Sequence, residues 1–183
     1  IDTGVQSTHP DLKVTVGYDY VDGDTDSNPV VKVDGAPHGT AVAGIIAAIG
    51  DNHLGVAGVA YAGSVYGIRL IGGKTSIGDF YSAFVEAVDA GAWVLSNSWG
   101  YGDKCDPIAN FSVYDDAIAY AETMGRGGLG AAIVFAAGNG NCDIGNNELL
   151  GHPEMVVVAA TNGDDRREGY SCFGKYLSVA APS

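Results

Sequence analysis

Basic residues are scarce in this 183-residue chain: nine Lys and Arg stand against 22 Asp and Glu, for a formal net charge of −13. That balance excludes a nucleic-acid binder, because a phosphate backbone needs a Lys/Arg face. An acidic surface instead suits solubility, cation binding or the attraction of basic substrates. Cysteine is scarce as well. The three present (Cys105, Cys142, Cys172) are too few for a disulfide scaffold. They allow at most one internal bridge and leave one cysteine over, whose partner is expected beyond the end of the chain. None belongs to a CxxC pair of the kind that holds zinc. There is no initiator Met, no signal-type n-region and no apolar run long enough to cross a bilayer. Ile1 reads as the tail of a buried strand, so both ends read as cut.

What is present describes a compact, glycine-rich protein: 46% of residues are hydrophobic and 28 are glycine, enough for the core of one domain or most of one. Val14 to Val21 alternates like a strand, and the acidic stretch Asp22 to Gly35 reads as a solvated loop. Thr40 to Ile49 is nearly all Ala, Val and Ile with Gly44 in the middle, a buried helix. Gly55 to Leu70 is a β-rich apolar run ending in Arg69. Ile77 to Ala90 carries Phe80, Phe84, Val85 and Val88 at helical spacing, with Gly91 as a stop. Trp93 to Ser96 reads as a strand, Val113 to Met124 as a helix ended by GRGGLG, and Ala131 to Ala137 and Met155 to Ala160 as buried parallel strands. Tyr176 to Ala180 is one more strand. Parallel strands need helical crossovers, so the expectation is one α/β domain over 1–183: a doubly wound, mostly parallel sheet with helices on both faces, truncated at both ends.

In such a sheet functional groups gather at the carboxyl ends of strands. Asp2 follows an apolar residue and precedes Thr3-Gly4, His38 opens the small-residue helix, and Asn139 follows the run AAIVFAAG. An aspartate can hold an imidazole's tautomer, the imidazole can take a proton from a hydroxyl, and an amide can meet the developing oxyanion. Taken singly, each residue has a plainer explanation: a strand-end turn former, a helix-start residue, and a turn Asn between glycines.

Four segments change those odds together. IDTGVQSTHPDL, HGTAVAGIIAA, LSNSWG and AAGNGN, in this order, resemble the subtilisin-like serine proteases over nearly the whole chain. The resemblance implies that Asp2 is the triad aspartate, His38 the general base and Asn139 the oxyanion donor. It also implies a serine endopeptidase acting on polypeptides, secreted, made with its own propeptide and monomeric, with no nucleic-acid partner and no membrane segment in this stretch. The family's serine lies in a Gly-Thr-Ser motif after the last strand. This chain ends at VAAPS, where Ser183 lacks that setting, so the expectation is a partial catalytic domain inactive by itself.

Details such as GVAYAGSVYGIRL, NSWG followed by an acid, GRGGLG and GNGNCD are most similar to the kexin and proprotein-convertase branch and its bacterial relatives. In subtilisin-like proteases the segments matching Ser98-Trp99-Gly100 and Ala136-Ala137-Gly138 flank the primary specificity pocket. Asp103 and Asp143 match the convertase acids there and imply a preference for Arg or Lys before the scissile bond. Thr3, Ala36 and Pro37 stand where a dibasic selector carries acids, so a single basic residue is the expectation. The alternatives are a broad-specificity subtilisin whose pocket is apolar, with both acids at the surface, and a non-catalytic pseudoprotease.

The resemblance further implies a structural calcium ion held by Asp11, the Asn52 side-chain oxygen and the carbonyls of Gly50, Leu54 and Val56, an oxygen set that calcium accepts. A plain Asp-Asn turn is the simpler reading of the same residues. By analogy with a convertase disulfide near the same loop, Cys142 with Cys172 is one candidate bridge. Cys105 with Cys142 is the other, and each cysteine can equally be a small buried residue.

Overall fold

This computed structural model describes residues 1–30, 37–100, 105 and 111–183. The described elements are β1 (Val14–Asp19), α1 (His38–Ala47), β2 (Val65–Arg69), α2 (Ile77–Asp89), β3 (Val94–Asn97), α3 (Phe111–Gly128), β4 (Ala132–Ala136), β5 (Met155–Thr161) and β6 (Val179–Pro182). They form an α/β fold of parallel strands and connecting helices, as the alternation of strand and helix patterns predicts. The chain divides into two compact units, Ile1–Ala90 and Gly91–Ser183.

In the first unit β1 and β2 pair in parallel, with Val14 opposite Val65 and Val16 opposite Gly67. Residues Ile1 to Thr3 run beside the carboxyl end of β2: Asp2 N–H donates to the Ile68 carbonyl at 3.0 Å, and Leu70 N–H donates to the Asp2 carbonyl at 2.9 Å. Val5, Leu12, Ala43 and Ala48 make a small core against Val14 and Val65. The long apolar run predicted as a strand is one only from Val65. Upstream of it, the N–H groups of Gly58, Val59 and Ala60 bond the carbonyls of Ala48, Ile45 and Ile46. Those are acceptors that a helix end leaves without intrahelical partners, so this stretch closes α1 instead of extending the sheet. Helix α2 opens with a reciprocal capping box between Ser76 and Asp79 and buries Phe80, Ala83, Phe84, Ala87 and Val88.

In the second unit all strands are parallel in the order β3-β4-β5-β6. The apolar runs of β4 and β5 bury Ile133, Phe135 and Val157 almost completely. Each such side chain removed from water stabilises the fold by about 1.5–3 kcal/mol. Helix α3 loses helical backbone angles at Gly125, Arg126 and Gly127, the GRGG stretch predicted to end it. Because β3 and β4 are neighbours with Asn97 opposite Phe135, the segments following them, Ser98 to Gly100 and Ala137 to Asn139, leave the same edge of the sheet.

Candidate active site

Asp2 is buried, at 5% exposure, against the carboxyl end of β2. That strand end is fixed by Arg69, whose guanidinium is 1% exposed and lies 2.7 Å from both Asp19 and Asp22. Asp22, read in the sequence as part of a solvated loop, is thus one arm of a clamp on a buried cation. The Asp2 Oδ1 accepts from Thr3 N–H at 2.7 Å and meets His38 Nδ1 at 2.7 Å. An acceptor-only carboxylate places the proton on Nδ1 and leaves Nε2 as the basic nitrogen. The His38 side chain is half exposed, so that nitrogen can be reached by substrate.

The start of α1 is seated on the same segment. Gly39 N–H donates to Thr3 Oγ1 at 3.0 Å, and Gln6 N–H donates to Thr40 Oγ1 at 2.9 Å. Pro37 supplies no side-chain cap, so Thr3 satisfies one of the helix's orphan donors. A Cβ on Gly39 would run into the Gly4 carbonyl and fall 2.9 Å from Asp2 Cβ. Thr3, noted in the sequence only as a missing acid, therefore docks the helix that carries His38. The missed signal is the pairing of a hydroxyl residue after the aspartate with a glycine after the histidine.

The other predicted residues lie in the second unit or in the loop around Asp11. Asn139 follows β4 and is exposed. It comes after Gly138, whose φ of +101° turns the chain off the strand. Ala137 N–H bonds the Val158 carbonyl, and the Gly138 carbonyl accepts from Cys172 N–H, so the approach to Asn139 is held on both sides. Trp99 packs edge-on against Phe135, with centroids 5.3 Å apart. Asp143 is exposed, and its Oδ1 accepts from Gly145 N–H at 2.8 Å. Asp103 and Ala36 lie outside the described residues.

Of the loop residues named for calcium, Asn52 and Val56 meet Asp11. Asp11 is 4% exposed, its Oδ1 accepting from Asn52 Nδ2 at 2.7 Å and its Oδ2 from Val56 N–H at 3.1 Å. Asp51, His53 and Gly55 all take positive φ, which wraps the loop around this carboxylate. Asn52 Oδ1 faces the Leu54 N–H at 3.0 Å. Of the two cysteine pairings left open by the sequence, the structure contains Cys105–Cys142, with Cα atoms 5.9 Å apart. Cys172 is a buried free thiol.

The Peptidase_S8 model, described as the subtilase family, matches residues 1–183. The chain belongs to the subtilase family. Among curated subtilase relatives it is 36% identical over 186 residues to the Thermophilic serine proteinase of Bacillus sp. (strain AK1), covering 100% of this chain and 42% of that protein. It is 38% identical over 156 residues to the Calcium-dependent protease of a Nostoc species, covering 80% of this chain and 23% of that one. Among solved subtilase structures, a cold adapted subtilisin-like serine proteinase superposes with a TM-score of 0.75 at 29% identity, covering 99% of this chain and 60% of that chain. The chain thus spans less than two thirds of the length of each of these relatives. No helix among the described residues is long and apolar enough to cross a membrane.

Proposed function

We propose that this chain is part of the catalytic domain of a serine endopeptidase in which Asp2 orients His38 as general base. The contact between Asp2 Oδ1 and His38 Nδ1 at 2.7 Å carries the reading. It fixes the tautomer whose Nε2 can take the proton of a serine hydroxyl as that oxygen attacks the scissile carbonyl, and can return the proton to the leaving amine. The Asn139 side chain makes no hydrogen bond among the described residues. It is therefore available to donate to the tetrahedral oxyanion. The serine would come from a Gly-Thr-Ser segment; no such triplet occurs in the 183 residues, which by themselves would not hydrolyse peptides. Labelling the full-length protein with a serine-directed phosphonate and sequencing the labelled peptide tests this: a Gly-Thr-Ser peptide supports it, and an unlabelled protein marks a pseudoprotease.

Substrates would be polypeptides, and the protein a secreted monomer made with a propeptide. A preference for Arg or Lys on the acyl side rests on Asp143, whose Oδ2 has no partner among the described residues and so can meet a cation. The exposure of Asp143 favours the second reading, a broad-specificity enzyme with an apolar pocket. Faster hydrolysis of Arg-ended than Phe-ended reporters supports the first reading, and equal rates support the second.

Calcium would be held by Asp11, the Asn52 side-chain oxygen and the carbonyls of Gly50, Leu54 and Val56. Those three carbonyls accept no hydrogen bond among the described residues, and with the buried Asp11 carboxylate they make a hard oxygen set of the kind the ion takes. The ion would hold the far end of the helix that begins with His38. The name of the Nostoc relative agrees with this assignment.

A further inference from the structure

All three cysteines of this cysteine-poor chain meet in one place, although the sequence separates Cys105 from Cys142 by 37 positions and Cys142 from Cys172 by 30. Their sulfurs lie within 4.8 Å of one another. The free Cys172 Sγ is 3.2 Å from Cys105 Sγ and 3.9 Å from Cys142 Sγ, so it touches both halves of the disulfide. Its place is well defined: Cys172 N–H donates to the Gly138 carbonyl at 2.9 Å, and the absence of a Cβ on Gly138 leaves room for the sulfur, which would lie 3.3 Å from one. Thiol and disulfide are thus held together by packing, not by chance encounter.

We propose that Cys172 exchanges with the Cys105–Cys142 disulfide, so that the protein carries two interconverting bridges. The Cys172 thiolate attacks Cys105 Sγ, the Cys105–Cys172 bond forms, the Cys105–Cys142 bond breaks, and Cys142 leaves as a thiolate that takes up the proton Cys172 gave to water. One thiol and one disulfide stand on each side, so neither oxidant nor reductant is consumed. Cys105 Sγ is the nearer electrophile, at 3.2 Å against 3.9 Å for Cys142 Sγ, and attack on it requires the Cys172 sulfur to swing into line with the Cys105–Cys142 bond.

Exchange moves the free thiol from Cys172, 2% exposed, to the half-buried Cys142. It also moves the tether of Cys105 from the loop three residues beyond Asn139 to the segment between β5 and β6. The chain would therefore hold or release the Asn139 loop through its own sulfur chemistry. The exchange itself does not depend on the proteolytic reading.

The test is mass-spectrometric mapping of the folded full-length protein, alkylated with iodoacetamide at several pH values, quenched in acid and digested with pepsin without reduction. The expected result is a Cys105–Cys172 peptide carrying alkylated Cys142, beside the Cys105–Cys142 peptide. Its rate of appearance should rise about tenfold per pH unit while the thiol remains mostly protonated, because the thiolate is the attacking species. In Cys172→Ala the Cys105–Cys142 bridge should be the one species recovered, with Cys142 unlabelled. Recovery of Cys105–Cys142 alone from the unsubstituted protein at every pH, with the label on Cys172 after unfolding, would overturn the proposal.

Discussion

Two alanine substitutions in α1 should have opposite signs, and the difference measures how tightly the base is seated. At Gly39 an added Cβ would meet the Gly4 carbonyl and lie 2.9 Å from Asp2 Cβ and 3.1 Å from Asp2 Oδ1. Backbone and a buried carboxylate cannot yield as a flexible side chain would, so the helix start must lift from Asp2 and Thr3. Overpacking of this kind costs about 1–3 kcal/mol. The same movement stretches the Gly39–Thr3 bond and the His38–Asp2 contact. A displacement of about 1 Å at a reacting group can cost about 10²-fold in rate. At Gly44, in the same helix, a Cβ meets nothing within 4 Å. There Ala should stabilise by up to about 1 kcal/mol through helix propensity alone. Thermal melts and kcat/KM on a peptide reporter, both with the full-length protein, check the pair. Gly39→Ala should lower Tm and lose about 10² or more in kcat/KM, while Gly44→Ala should hold or raise Tm at normal activity. Equal behaviour of the two variants, or a fully active Gly39→Ala, would refute the seating argument.

Asp19→Ala should cost about 3–5 kcal/mol in denaturant unfolding, because it takes a buried carboxylate from the fully buried Arg69 guanidinium. Chelator should lower the Tm of the full-length protein, and Asp11→Ala should lower it once and make it insensitive to chelator. Burial raises the carboxyl pKa of Glu122 against the opposing pull of nearby His152, and Glu122 Oε1 is buried without a hydrogen bond. A folded-state pKa above the unfolded one means that the group's contribution is fully present below about pH 4.5 and is lost as pH rises through the folded value. Glu122→Gln should therefore stabilise near neutral pH and lose that advantage in acid, as urea melts across the range would show. Asn139→Ala should reduce kcat of the full-length protein on a peptide reporter by about 10²–10³, the loss expected when one oxyanion donor is removed.

The sequence was most legible where one physical pattern dominated. AAIVFAA and MVVVAA can do little but fill a buried parallel sheet, and the all-small run after His38 can do little but pack closely as a helix. The pairing of Asp2 with His38 was legible through the motifs around them. What stayed hidden depends on backbone bonds between distant segments. Gly55 to Ala60 has strand-like composition, yet the N–H groups of Gly58, Val59 and Ala60 are taken by the end of α1. Thr3 looks like a departure from an acidic pattern until its hydroxyl is seen to accept from Gly39. Arg69 closes an apolar run, and nothing local marks Asp19 and Asp22, both far upstream, as its partners. The cysteine pairing was equally out of reach, since all three sulfurs converge and spacing cannot rank them.

The central claim is that His38, oriented by Asp2, is the base of a peptide hydrolase. Replacing it in the full-length protein and measuring kcat/KM on a peptide reporter, with folding checked by Tm, tests that claim directly. His38→Ala should keep Tm within a few degrees and lose about 10⁴-fold or more in turnover. A folded His38→Ala protein with activity within tenfold of the unsubstituted enzyme would contradict the account.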